Sequence, residues 1–107
     1  MAGFFTDIEK ESGENQFFRQ VLYTGPNSQL VVMSLKPGED TGLEMHEKSD
    51  QFIRVEEGEG MAVLDGKEHR LAAGLAFIIP SGCFYNIING SNTAAMKLYS
   101  VFSPPEY

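Results

Sequence analysis

Gly38-Glu39-Asp40-Thr41-Gly42-Leu43-Glu44-Met45-His46-Glu47-Lys48-Ser49-Asp50-Gln51-Phe52-Ile53-Arg54-Val55-Glu56-Glu57-Gly58 is the stretch on which the reading of this chain turns. Glu44 and His46 are two residues apart, so in an extended strand they share a face. Gln51 opens the next strand-like run. A third run is opened by Tyr85, within Pro80-Ser81-Gly82-Cys83-Phe84-Tyr85-Asn86. A small β-barrel would aim these side chains at one spot. A carboxylate, an imidazole, an amide oxygen and a phenol do not make an ordinary zinc site.

Outward from this stretch, turn marks recur at short intervals: Gly25-Pro26-Asn27, Lys36-Pro37-Gly38, Gly58-Glu59-Gly60, Asp65-Gly66, Ala73-Gly74, Asn89-Gly90-Ser91 and Pro104-Pro105. Between them lie runs rich in Val, Ile, Leu, Phe and Tyr, the pattern of an antiparallel sandwich or barrel. The spacing predicts strands over Phe17–Tyr23, Gln29–Leu35, Gly42–His46, Gln51–Glu57, Gly60–Leu64, Lys67–Leu71, Leu75–Ile79, Phe84–Ile88 and Met96–Phe102. Asp65-Gly66 suits a tight type I′ hairpin, which needs positive φ at both central residues. Only Thr6–Asn15 has helix-like polarity, and it predicts a short helix or an extended arm.

The chain has 107 residues, 42% hydrophobic and 21% charged, as expected of one globular domain with one core. Its formal charge of −7 argues against nucleic acid or an anionic membrane surface as partner, since both demand a basic footprint. The single cysteine, Cys83, cannot form an internal disulfide, so a reducing cytoplasm is the expected location. The first residues carry no basic region, which argues against a signal peptide. The longest apolar run, Leu75 to Ile79, falls far short of the ~20 residues of a membrane helix.

Taken together, the turn marks and polar residues resemble the cupin superfamily. The first cupin motif runs Gly, five residues, His-x-His, three or four residues, Glu, six residues, Gly. Here Gly38 leads after five residues to Glu44-Met45-His46, then after four to Gln51, and after six to Gly58. The second motif runs Gly, five residues, Pro-x-Gly, two residues, His, three residues, Asn. Here Gly74, Pro80-Ser81-Gly82, Tyr85 and Asn89 fall in that register. The ending Leu98-Tyr99-Ser100-Val101-Phe102-Ser103-Pro104-Pro105 is similar to small single-domain cupins of the mannose-6-phosphate-isomerase-like type.

The resemblance implies an all-β double-stranded β-helix, a jelly-roll barrel of two antiparallel sheets. It implies one domain over residues 1–107, with an arm or short helix over 1–16 and the motif-bearing core over 38–89. A homodimer, paired through strands near the N-terminus beside the apolar pairs Phe4-Phe5 and Phe17-Phe18, follows by family analogy.

The four ligand positions of the motifs are occupied by Glu44, His46, Gln51 and Tyr85. Only His46 keeps the family's residue type. The resemblance makes these four the ligands of a divalent metal, Mn, Fe, Ni or Zn, with oxygen-rich character that suits Mn, Fe or Ni better than structural zinc. Tyr85 departs most, since a phenol with an ordinary pKa near ~10 is a weak ligand.

Each residue also has a plainer reading. His46 is a metal ligand or general base, or a pocket histidine bonded to Glu44 or Tyr85. Glu44 and His46 form an acid–base pair or a polar filling of the barrel mouth. Gln51 orients a substrate hydroxyl, coordinates through its carbonyl, or is a satisfied buried amide. Tyr85 is a general acid, or a plug where a ligand once stood.

Two functions follow. One is a divalent-metal-dependent isomerase or lyase on a sugar-like or keto-acid molecule, with Glu44, His46 and Tyr85 catalytic. The other is a metal-free cupin that binds or senses a polar small molecule without turnover. Arg54, His69 and Cys83 are expected to lie outside this chemistry.

Overall fold

The strand-like runs pair into two antiparallel sheets in the computed structural model, which describes residues 3–106. Met1 and Ala2 of the expected arm, and Tyr107 of the expected domain, lie outside the described residues. Among the described residues there are one helix and eight strands: α1 (Ile8–Glu14), β1 (Arg19–Thr24), β2 (Gln29–Leu35), β3 (Asp50–Glu57), β4 (Glu59–Leu64), β5 (Lys67–Ala72), β6 (Ala76–Ile79), β7 (Tyr85–Asn89) and β8 (Met96–Ser103). One sheet has the order β1-β2-β8-β3-β6, and the other β5-β4-β7.

Strand alternation fills the space between them. On β3, Gln51, Ile53 and Val55 are buried, while Arg54 lies on the opposite face as expected. Val31, Leu35, Ala62, Leu71, Ile87 and Leu98 join Ile53 and Val55 in one apolar core. That core also takes in Tyr85 and Phe102, which pack at the end of the barrel where the motif residues gather.

The Asp65-Gly66 hairpin is as expected: φ is 46° and 81° at the two residues, as a type I′ turn requires. The polar N-terminal stretch forms α1. Asp7 caps it by accepting the Lys10 N–H at 3.2 Å. At its other end the buried Lys97 ammonium donates to the Asn15 carbonyl and to Ser34 Oγ, tying the helix to β2 and β8.

One expected strand is absent. Gly42–His46 makes a single isolated bridge, Glu44 to Tyr85, and a second, Asp40 to Ile88, lies just before it. Local bonds compete with the ladder there: Asp40 Oδ1 accepts the Gly42 N–H at 2.7 Å, and Gly42 takes φ of 76°. The segment therefore runs beside β7 as an irregular edge. No helix among the described residues is long and apolar enough to cross a membrane.

Candidate functional site

The irregular edge is fastened to β7 at one point, and that point sets the site. Glu44 and Tyr85 exchange both backbone N–H···O bonds, each 2.8 Å. One turn of chain further on, the Gly82 N–H donates to the His46 carbonyl at 2.8 Å, holding the loop against the Pro80–Gly82 turn. A directly exchanged pair brings the facing side chains of Glu44 and Tyr85 close together.

The Tyr85 hydroxyl lies 2.8 Å from His46 Nε2 and 3.1 Å from Glu44 Oε2. His46 Nε2 and Glu44 Oε2 are themselves 3.9 Å apart, so the phenol oxygen bridges them. The His46 ring meets Phe102 edge-on at 5.1 Å between centroids and tilts against Tyr85 at 5.7 Å. Burial pushes the Tyr85 phenol well above its ordinary range, and the charges of Glu44 and Glu106 add to this. Tyr85 is thus a neutral O–H donor.

Glu106 completes the group, although sequence reasoning gave no sign of it. Its Oε1 lies 3.1 Å from His46 Nδ1, and its Oε2 accepts from Ser49 Oγ at 2.7 Å. Burial raises the Glu106 carboxyl. The bonds from Ser49 and His46, with the charges of His46 and Arg19, outweigh it and hold the group below the usual carboxylate range. The result is one chain of contacts: Glu106, His46, Tyr85, Glu44.

Gln51 stands apart from this chain. Its Nε2 donates to Ser100 Oγ at 3.1 Å, and its buried Oε1 has no partner among the described residues. The structure therefore brings together three of the four expected residues and adds Glu106 and Ser49. No motif spacing includes Glu106. Ser49 lies within the quoted stretch, but nothing about a loop serine marks it.

As arranged, this donor set fits a divalent ion poorly. An ion would stand about 2.0–2.2 Å from imidazole nitrogen and carboxylate oxygen. Here a protonated hydroxyl takes the place between them. Glu106 meets the opposite ring nitrogen, so it does not converge with Glu44. Among the described residues, no three His, Cys, Asp or Glu side chains gather as an ion would require.

Two cavities lie away from this chain. One of about 440 Å³ opens between β5 and β6, lined by Ala62, Leu64, Leu71 and Phe77 with His69 at its edge. Another of about 420 Å³ is a shallow groove on the outer face of β4, β5 and β7. Glu68, His69 and Arg70 also line the first, but among the described residues no hydrogen bond or ion pair links their side chains, whereas Glu106, His46, Tyr85 and Glu44 are joined in sequence, so chemistry is better placed at the hydrogen-bonded chain. His69 is exposed and Cys83 partly buried, both outside that chain as expected.

Comparison with known proteins agrees with this architecture. The family described as Cupin domain matches residues 31–102. An uncharacterized protein of Acanthamoeba polyphaga mimivirus is 42% identical over 97% of this chain and 67% of its own length. The uncharacterized protein YrkC of Bacillus subtilis is 38% identical over 97% of this chain and 59% of its own. The chain thus spans about two thirds or less of these curated relatives. A crystal structure from Bacillus halodurans superposes with a TM-score of 0.94 and 38% identity, covering 99% of this chain and 84% of that one.

Proposed function

Because this chain belongs to the cupin domain family, we propose that its barrel mouth binds a small polar molecule through hydrogen bonds from Glu44, His46 and Tyr85, with no ion among them. The observation that carries this reading is the Tyr85 hydroxyl, 2.8 Å from His46 and 3.1 Å from Glu44, where an ion would otherwise bridge the two. Glu44 and His46 keep enough exposure, 42% and 18% of their side chains, for a ligand to meet them.

The same geometry supports proton handling as a second reading. An imidazole between a carboxylate and a neutral phenol can pass a proton either way, as an isomerase-type or lyase-type step on a sugar-like or keto-acid molecule needs. The narrower likeness to mannose-6-phosphate-isomerase-like cupins belongs to this second reading. We also propose a homodimer paired through the edge strand β1, just before which Phe17 and Phe18 are exposed.

Metal content of protein purified without chelators, measured by mass spectrometry, tests the ion-free site. Expected is far less than one ion per chain. One ion per chain, lost in Glu44→Gln and in His46→Gln, would establish the metal-dependent alternative. Thermal shift with polyols, sugar acids and keto acids tests binding. His46→Gln should abolish whatever stabilisation the wild type shows.

A further inference from the structure

Glu106 reaches the mouth from beyond the last strand, and its carboxylate is held as a bound ligand's would be. β8 ends at Ser103, the chain bends at Pro104, and Pro105 is buried. Ser49, only 2% exposed, directs its hydroxyl at both Glu106 Oε2, at 2.7 Å, and the Pro104 carbonyl, at 2.8 Å. His46 Nδ1 takes the other carboxylate oxygen at 3.1 Å. The Glu106 N–H donates to Gln29 Oε1 at 3.3 Å, and Arg19 Nη2 reaches that same oxygen at 3.5 Å. A guanidinium thus stands behind the anion.

Both donors to the carboxylate, His46 and Ser49, come from the motif-bearing loop, while the acceptor lies on irregular chain beyond β8. No sheet ladder holds this segment, and irregular chain of that kind opens more readily than the core strands. Glu106 is 31% exposed and His46 18%, so solvent already reaches their contact.

We propose that the position filled by the Glu106 carboxylate is a carboxylate subsite, with the tail acting as a built-in occupant that a small organic acid displaces. The incoming carboxylate takes the His46 Nδ1 and Ser49 Oγ bonds under the charge of Arg19. This inference rests on the polar-ligand reading of the site and names both the ligand class and its internal competitor. A tethered carboxylate competes at an effective concentration of the order of mM. External acids therefore bind the intact chain weakly, in proportion to the fraction of time the tail is open.

The test uses the full chain as wild type, Glu106→Ala and Glu106→Gln, titrated with acetate and pyruvate, with acetamide as the neutral match. The chain has two histidines, so imidazole ¹H–¹⁵N resonances separate His46 from the exposed His69, which serves as internal control. In Glu106→Ala, acetate and pyruvate should shift His46 but not His69, with apparent Kd lower than wild type by about tenfold or more. Acetamide should do neither. Glu106→Gln keeps the shape of the tail and removes its charge, so it should change in the same direction and replaces the alanine variant if that variant unfolds.

Equal affinity in wild type and variants, or folded variants whose His46 ignores both acids, overturns the proposal. If the acids fail while a neutral polyol still shifts His46, the subsite is wrong and the polar-ligand reading stands. If no polar molecule shifts His46 in any form, both are wrong.

Discussion

Tyr85→Phe isolates the bridge between His46 and Glu44, because it removes one oxygen and leaves the buried ring in place. The lost hydroxyl makes a bond to a carboxylate and a bond to an imidazole, at 3.1 and 2.8 Å. Charge-assisted bonds are worth about 1.5–3 kcal/mol and neutral ones about 1 kcal/mol. The carboxylate share must be reduced, since the Glu44 side chain is 42% exposed and water replaces the phenol there. His46 is more enclosed, so its Nε2 regains water only in part. The net loss is about 1–2 kcal/mol, which for a domain of this size lowers Tm by roughly 5–10 °C. Urea unfolding should show a lower midpoint with an unchanged m-value. A change within about 0.3 kcal/mol, or a gain, would refute the claim that this hydroxyl bridges two groups that depend on it. Glu44→Gln combined with Tyr85→Phe then gives the coupling by double-mutant cycle, expected below about 1 kcal/mol because Glu44 faces solvent.

Four further predictions follow. Glu106 is lower in the folded chain than in the unfolded one, so its stabilisation is whole above the ordinary carboxylate range near pH ~4.3 and fades as pH falls through the lowered value; Glu106→Gln should flatten the acid limb of a Tm-against-pH curve. Tyr85 is raised instead, so above pH ~10 the unfolded chain releases its proton first and stability falls with rising pH; Tyr85→Phe should flatten the alkaline limb. Lys97→Met removes the donor shared by the Asn15 carbonyl and Ser34, at a cost of about 1–3 kcal/mol, and hydrogen exchange should quicken at the α1 amides. Phe17→Asp should turn the proposed dimer into a monomer by light scattering, and a wild-type monomer would end that proposal.

The turn glycines and prolines made the barrel readable, because each forces a local backbone state that does not wait on tertiary contacts. Asp65-Gly66 illustrates this: a hairpin of that chemistry has one dominant geometry. The Gly42–His46 segment misled for a related reason. Its residues suit a strand by type, but the Asp40 side chain captures the Gly42 N–H, and side-chain competition of that kind is invisible to alternation. Lys97 and Glu106 were unreadable because charge type suggests free exposure, and the partners that hold them lie 82 and 57 positions away in the chain. Register located Glu44, His46 and Tyr85 together, yet gave no hint that the tail would claim the far side of the imidazole.

That far side decides what the site can do with a proton. A carboxylate only accepts, so His46 Nδ1 carries a hydrogen toward Glu106. Tyr85 has one hydrogen and two neighbours able to accept it. If it points to Glu44, His46 Nε2 must donate to the phenol oxygen, and the ring is an imidazolium between two carboxylate-linked groups. If it points to Nε2, the ring is neutral, and Glu44 loses its phenol donor and turns to water, which its exposure allows. The two arrangements differ by one proton. A ligand acid replacing Glu106 preserves the negative charge at Nδ1 and therefore keeps both arrangements available. A neutral ligand in the same place withdraws the support for the imidazolium and leaves only the second. The chemical class that the tail imitates is thus the class that lets the Tyr85–His46 pair change state.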